Sequence, residues 1–94
     1  VIADNTSAAG FVVGDAMRAA AGLDLATLGV VLEKNGEVVG LGAGAAVLGH
    51  PAASVAMLAN MLAARGEEIP AGTLVLTGGI TEAVAVAPGD HIQL

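Results

Sequence analysis

Polar and apolar positions along the chain change rhythm three times. In "LGVVLEKNGEVVGLG", Leu28 to Gly42, two apolar runs flank Asn35-Gly36. That dipeptide is the preferred centre of a two-residue type I′ turn, because both central residues need positive φ. A β-hairpin is predicted, with Lys34 opposite Glu37 and Leu32 opposite Val39, a charge pair beside an apolar pair. From Pro51 to Arg65 the period becomes helical: Val55, Leu58, Ala59 and Leu62 form one apolar stripe. Pro51 suits the first helical position and Gly66 a C-terminal cap. Met57 and Met61 fall on a neighbouring face and are expected to pack rather than to touch a cofactor.

The flanks are strand-like. "GFVVG", Gly10 to Gly14, is a short apolar run between glycines and predicts a buried strand. "DAMRAAAGLDLAT", Asp15 to Thr27, predicts a connection with a helical turn stopped at Gly22. After the helix, "TLVL" (73–76) and "AVAV" (83–86) predict two strands around a glycine turn, and "PGD" (88–90) a tight turn before a last strand in "HIQL". The class expected is α+β, strand-rich, with one main helix at about 51–65.

Composition changes this picture in one respect. Of 94 residues, 55% are hydrophobic and 13% charged, whereas a chain this short buries only about 60–65% of its unfolded surface. A mean hydropathy of +0.81 exceeds what a lone domain of this size can hide. Another subunit or more of the same chain is expected to cover the surplus. The first residue is Val1 rather than Met, so the segment is expected to be incomplete as a single domain.

Charge and residue types exclude several classes. Three basic residues against nine acidic ones leave a net charge of −6, which cannot neutralise a phosphate backbone. Phe11 is the one aromatic, so base stacking has no platform. With no cysteine, disulfides, thiolate metal sites and a cysteine nucleophile are excluded. No signal peptide is visible, and a cytoplasmic location is expected. The uncharged run Val38–Ala64 is long enough for a bilayer, but Gly49, His50 and Pro51 break it, so no membrane span is expected.

Candidate chemistry is sparse. Ser7, Ser54, His50 and His91 occur without a G-x-S-x-G elbow or other placed nucleophile. "GAGAAVLG" is glycine-rich but is no P-loop. Glu33, Glu37, Glu67, Glu68 and Glu82 lie at turns and at the helix end, where solvation explains them. Asp4, Asn5, Thr6 and Ser7 cluster at a strand boundary, where they can bind a ligand carboxylate or cap their own backbone. His50, between Gly49 and Pro51, either caps the first helical turn or stands beside an anion held by free N–H groups at the helix start. "LTGGIT", Leu76 to Thr81, adds a second loop of hydroxyls and N–H groups. Small-residue loops facing one cleft would suit a small carboxylated substrate.

The segments "IADNTSAAGFVVG", "LGVVLEKNGEVVGLGAGAAVLGHPAASVAMLANMLAARGEEIPAG" and "LTGGITEAVAVAPGD" together cover nearly the whole chain. They resemble the 2-keto-4-pentenoate hydratase group of the fumarylacetoacetate hydrolase superfamily, with "TGGIT" closer to its decarboxylating branch. The resemblance implies that residues 1–94 are the C-terminal portion of a catalytic domain built as a mixed β-roll. It implies a Mg²⁺-dependent enzyme of aromatic catabolism, a homo-oligomer able to pair with a partner hydratase. The substrate implied is an oxo-dicarboxylate, 2-oxo-3-hexenedioate, losing CO₂; water addition to 2-hydroxypenta-2,4-dienoate is the related alternative. The metal-holding glutamates and an assisting lysine of the family lie upstream of "IADN". The resemblance puts Asn5, Ser7, Thr77 and Gly78 against substrate, with Asp4 and His50 in supporting positions. Two rivals from other classes are a non-catalytic, self-associating β-rich module and a carrier domain of the biotinyl type, the latter lacking a hairpin-tip lysine.

Overall fold

The Asn35-Gly36 turn forms as its dipeptide requires, with φ of 53° and 82°. A computed structural model describes residues 8–94. Strands β1 (Gly29–Lys34) and β2 (Glu37–Ala43) pair antiparallel across that turn. Lys34 faces Glu37 as expected, but Leu32 faces Gly40 rather than Val39. A bulge between Leu32 and Glu33 moves the register, leaving Val39 as the extra residue. The shift has a packing counterpart: a β-carbon on Gly40 would stand 3.2 Å from Thr81 Cβ. Gly40 and Gly42 share one face of β2, and the 80–81 backbone lies on it.

A short 3₁₀ turn, Gly44–Ala46, leads through Leu48 and Gly49, both at positive φ, into helix α1 (Pro51–Ala63). The helix ends as its sequence asks. Gly66 takes φ 72°, its N–H donates to the Ala63 carbonyl, and Glu67 N–H donates to the Leu62 carbonyl. That is the Schellman arrangement. The apolar stretch Gly44–Ala63 has the composition of a membrane span. The left-handed pair Leu48–Gly49 interrupts it, however, and 13 helical residues reach only about 20 Å, short of a bilayer core of about 30 Å.

Strand β3 (Ile92–Gln93) adds to the outer side of β1 through Glu33 and Lys34, giving the sheet order β2-β1-β3. A polar clasp fixes it. Asn35 N–H donates to the His91 carbonyl (2.8 Å), and His91 N–H donates to Asn35 Oδ1 (2.8 Å). Asn35 Nδ2 donates to Asp90 Oδ1 (2.9 Å), and Asp90 Oδ2 accepts from Ala87 N–H (2.9 Å). Lys34 Nζ lies 3.5 Å from Asp90 and donates to the Ala85 carbonyl.

Asn35 first, then the Ala87 N–H and Lys34, hold the Asp90 carboxyl below the ordinary aspartate value. Because the folded value is the lower one, the clasp's contribution is complete above the unfolded value of 3.8 and is lost as pH falls through the folded one. Exchange protection of the His91 amide is therefore expected to hold above the unfolded value of 3.8 and to fall as pH drops below it, while mid-hairpin amides keep theirs. Parallel loss at both places would contradict a local clasp.

Three expected strands are not formed. Gly10–Gly14, 73–76 and 83–86 run without ladder partners among the described residues. The first is also not buried: Val12 is 97% exposed. A strand exists by pairing, and β1 is the one strand here with neighbours on both sides. Met57 and Met61 are exposed rather than packed. Among the described residues Val47 is the one buried hydrophobic, and the radius of gyration is 15.0 Å against about 12 Å for a compact domain of this length. The apolar surplus in the composition is thus left bare.

Candidate functional site

Three backbone segments meet around the entrance to α1. The turn Asp24–Leu28 lies on the 3₁₀ turn: Gly44 N–H donates to the Leu28 carbonyl (3.1 Å) and Ala45 N–H to the Ala26 carbonyl (2.8 Å). Gly44 is buried so tightly that a β-carbon there would overlap the Leu25 carbonyl oxygen. From the other side comes 77–81. A β-carbon on Gly42 would stand 2.6 Å from the Ile80 carbonyl oxygen, and one on Gly78 3.6 Å from Val47 Cγ1. Glycines in "GLGAG" and "TGG" thus allow close approach, and the two small-residue loops converge, which composition alone did not show.

A cavity of about 500 Å³ opens at this junction, walled by Leu25, Pro51, Ala52, Val55, Ala59 and Thr77. Its wall is apolar. Thr77, one of the expected site residues, borders it; Gly78 stands next door at φ 129°, a conformation nearly restricted to glycine. The other expected contacts, Asn5 and Ser7, and the supporting Asp4, lie outside the described residues.

His50 takes the plainer of its two roles. Its backbone is extended, and Ala52 N–H donates to its Nδ1 at 3.0 Å, while Ala53 N–H donates to its carbonyl. The first-turn N–H groups of Ala52 and Ala53 are therefore both bonded to His50, as the capping alternative has it. With Nδ1 accepting, the neutral imidazole carries its proton on Nε2. Replacing His50 by Ala should cost about 1 kcal/mol of stability as a lost N-cap, and His50→Asn should recover most of it. Thermal unfolding of the two variants measures this; equal losses would remove the cap from the explanation.

Sequence reasoning missed Asp24. It stands three residues before Thr27, whose N–H donates to Asp24 Oδ1 (3.4 Å). Thr27, through its side chain first and its N–H next, holds the Asp24 carboxyl below its ordinary value, and the Ala26 N–H adds to the effect. The D-x-x-T spacing was the available clue.

No family model matches. Along its whole length the sequence is similar to one part of proteins named as 4-oxalocrotonate decarboxylases and as hydratases. It is 71% identical over all 94 residues to the 4-oxalocrotonate decarboxylase of Pseudomonas sp. (strain CF600), 36% of whose length it covers. It is 43% identical over 93 residues to the 2-hydroxyhexa-2,4-dienoate hydratase of Comamonas testosteroni, covering 35% of that protein. Two structures of 4-oxalocrotonate decarboxylase from Pseudomonas putida G7, one with calcium and acetate and one with magnesium and adipate, superpose with a TM-score of 0.70 at 78% identity. Each match covers 74% of this chain and 27% of that one. The chain spans about a third of the length of the curated relatives it matches.

Among the described residues no three His, Asp or Glu side chains lie together as metal ligands. The acids are spread over the hairpin end, the helix end and two turns. The described residues by themselves do not fit a magnesium ion.

Proposed function

We propose that this chain is the C-terminal portion of the catalytic domain of a 4-oxalocrotonate decarboxylase with the mixed β-roll of the fumarylacetoacetate hydrolase superfamily. The complete enzyme converts 2-oxo-3-hexenedioate to 2-hydroxypenta-2,4-dienoate and CO₂ in aromatic catabolism, in the cytoplasm. The observation that carries this is 71% identity across every residue of the chain, against 43% for the hydratase. Mg²⁺ dependence follows from the relative that binds it, with ligands supplied by parts of the protein beyond these 94 residues.

In this reading the segment supplies walls rather than reacting groups. The Thr77–Gly78 loop and the Asn5/Ser7 cluster border the substrate, and Leu25, Pro51 and Val55 exclude water from one side of it. A drier surrounding disfavours a free carboxylate and favours its loss as neutral CO₂. Asp4 and His50 support: His50 fixes the start of α1 and hence one wall. The bare apolar faces suit a homo-oligomer and a complex with the hydratase that uses the product.

The test is CO₂ release from 2-oxo-3-hexenedioate by the longer protein containing this segment, with Mg²⁺ supplied. Hydration of 2-hydroxypenta-2,4-dienoate without CO₂ release would transfer the chain to the hydratases, which the 43% relationship keeps as the second reading.

A further inference from the structure

The Asn35-Gly36 turn carries a chemical property that neither the hairpin nor the decarboxylase reading uses. Asn-Gly is the peptide pair most open to attack by the following backbone nitrogen on the side-chain amide, since glycine offers no side chain to block it. Asn35 is exposed at the hairpin tip. Its side chain also ties the chain's last strand to the hairpin, through Asp90 (2.9 Å) and the His91 N–H (2.8 Å).

We propose that Asn35 is a site of spontaneous deamidation which the closed clasp suppresses and whose product loosens the clasp. In the reaction the Gly36 nitrogen, losing its proton, bonds to Asn35 Cγ. The bond from Cγ to the side-chain nitrogen breaks, and ammonia leaves with that proton. Solvent water then opens the succinimide at either carbonyl, leaving aspartate or isoaspartate. One water enters, one ammonia departs, and nothing is oxidised or reduced.

Two features of the folded turn oppose this step. A residue at φ 53° in a type I′ turn has ψ of about +30°. In that conformation the Gly36 nitrogen lies nearly anti to the Asn35 β-carbon, whereas ring closure needs the two eclipsed. The amide is also held at both ends, Nδ2 by Asp90 and Oδ1 by His91. Deamidation therefore waits for the turn and clasp to open together.

Afterwards the clasp re-forms only in part, since an aspartate oxygen can still accept from the His91 N–H but the bond to Asp90 is gone. An acid at position 35 has no N–H for Asp90 Oδ1 and sets a second carboxylate beside the first, with Lys34 as the single cation in contact with Asp90 among the described residues. Isoaspartate adds a backbone atom to a two-residue turn that tolerates none. The ladder pairs Glu33–Gln93 and Lys34–Ile92 lose part of their anchor.

Peptide mass mapping of the protein during incubation at mildly alkaline pH tests the first half. Conversion at Asn35 should be several-fold faster in Asp90→Ala than in the parent and fastest in denaturant. Equal rates in all three would overturn the protection. Hydrogen exchange on Asn35→Asp tests the second half. Protection at the His91 amide should fall several-fold while that at Leu32 is kept. Retained protection at His91, or loss spread through the hairpin, would overturn it. Neither result depends on decarboxylase activity.

Discussion

Gly44→Ala is expected to destabilise the protein by about 3 kcal/mol, the upper range for forcing an extra carbon into a packed site. The added methyl meets the Leu25 carbonyl oxygen, which is backbone and cannot swing away, and Pro51 Cδ closes the other side at 3.3 Å. Relief requires separating 24–28 from the 3₁₀ turn, at the expense of the Gly44–Leu28 and Ala45–Ala26 hydrogen bonds. Two glycines calibrate the result. Gly29 has open space and no positive φ, so Gly29→Ala should be near neutral. Gly49 has open space at φ 81°, so Gly49→Ala should cost about 1 kcal/mol from backbone strain alone. Urea unfolding midpoints order the three variants. A Gly44→Ala midpoint as high as that of Gly29→Ala would show that Leu25 does not seat on this glycine.

Gly78→Ala separates strain from crowding in the opposite sense. Its β-carbon would find room, 3.6 Å from Val47 Cγ1, but φ 129° is a region that side chains avoid, at a cost of about 2 kcal/mol. The loop is expected to relax by turning its backbone, and Thr77 moves with it. In the longer enzyme KM should rise or kcat fall, with α1 and the hairpin intact by circular dichroism. Lower stability with unchanged kinetics would remove Thr77 and Gly78 from the substrate's surroundings.

Local chemistry determined the elements that local chemistry can hold. Asn35-Gly36 fixed the turn and the Lys34–Glu37 pairing, and Pro51 with Gly66 bounded the helix, because caps and tight turns satisfy their own backbone within a few residues. The sequence also announced, through its apolar surplus and the family resemblance, a segment that leaves much of its hydrophobic surface bare. Tertiary structure decided the rest. The bulge that puts Gly40 opposite Leu32 answers to the close approach of Thr81, a contact made across about forty residues of chain. Gly44 reads as one more glycine until Leu25 lies on it. His50 could have served an anion or its own helix, and the Ala52 N–H chose the helix. The runs 73–76 and 83–86 have strand-forming residues, yet a strand is defined by a neighbour, and neighbours come from distant sequence.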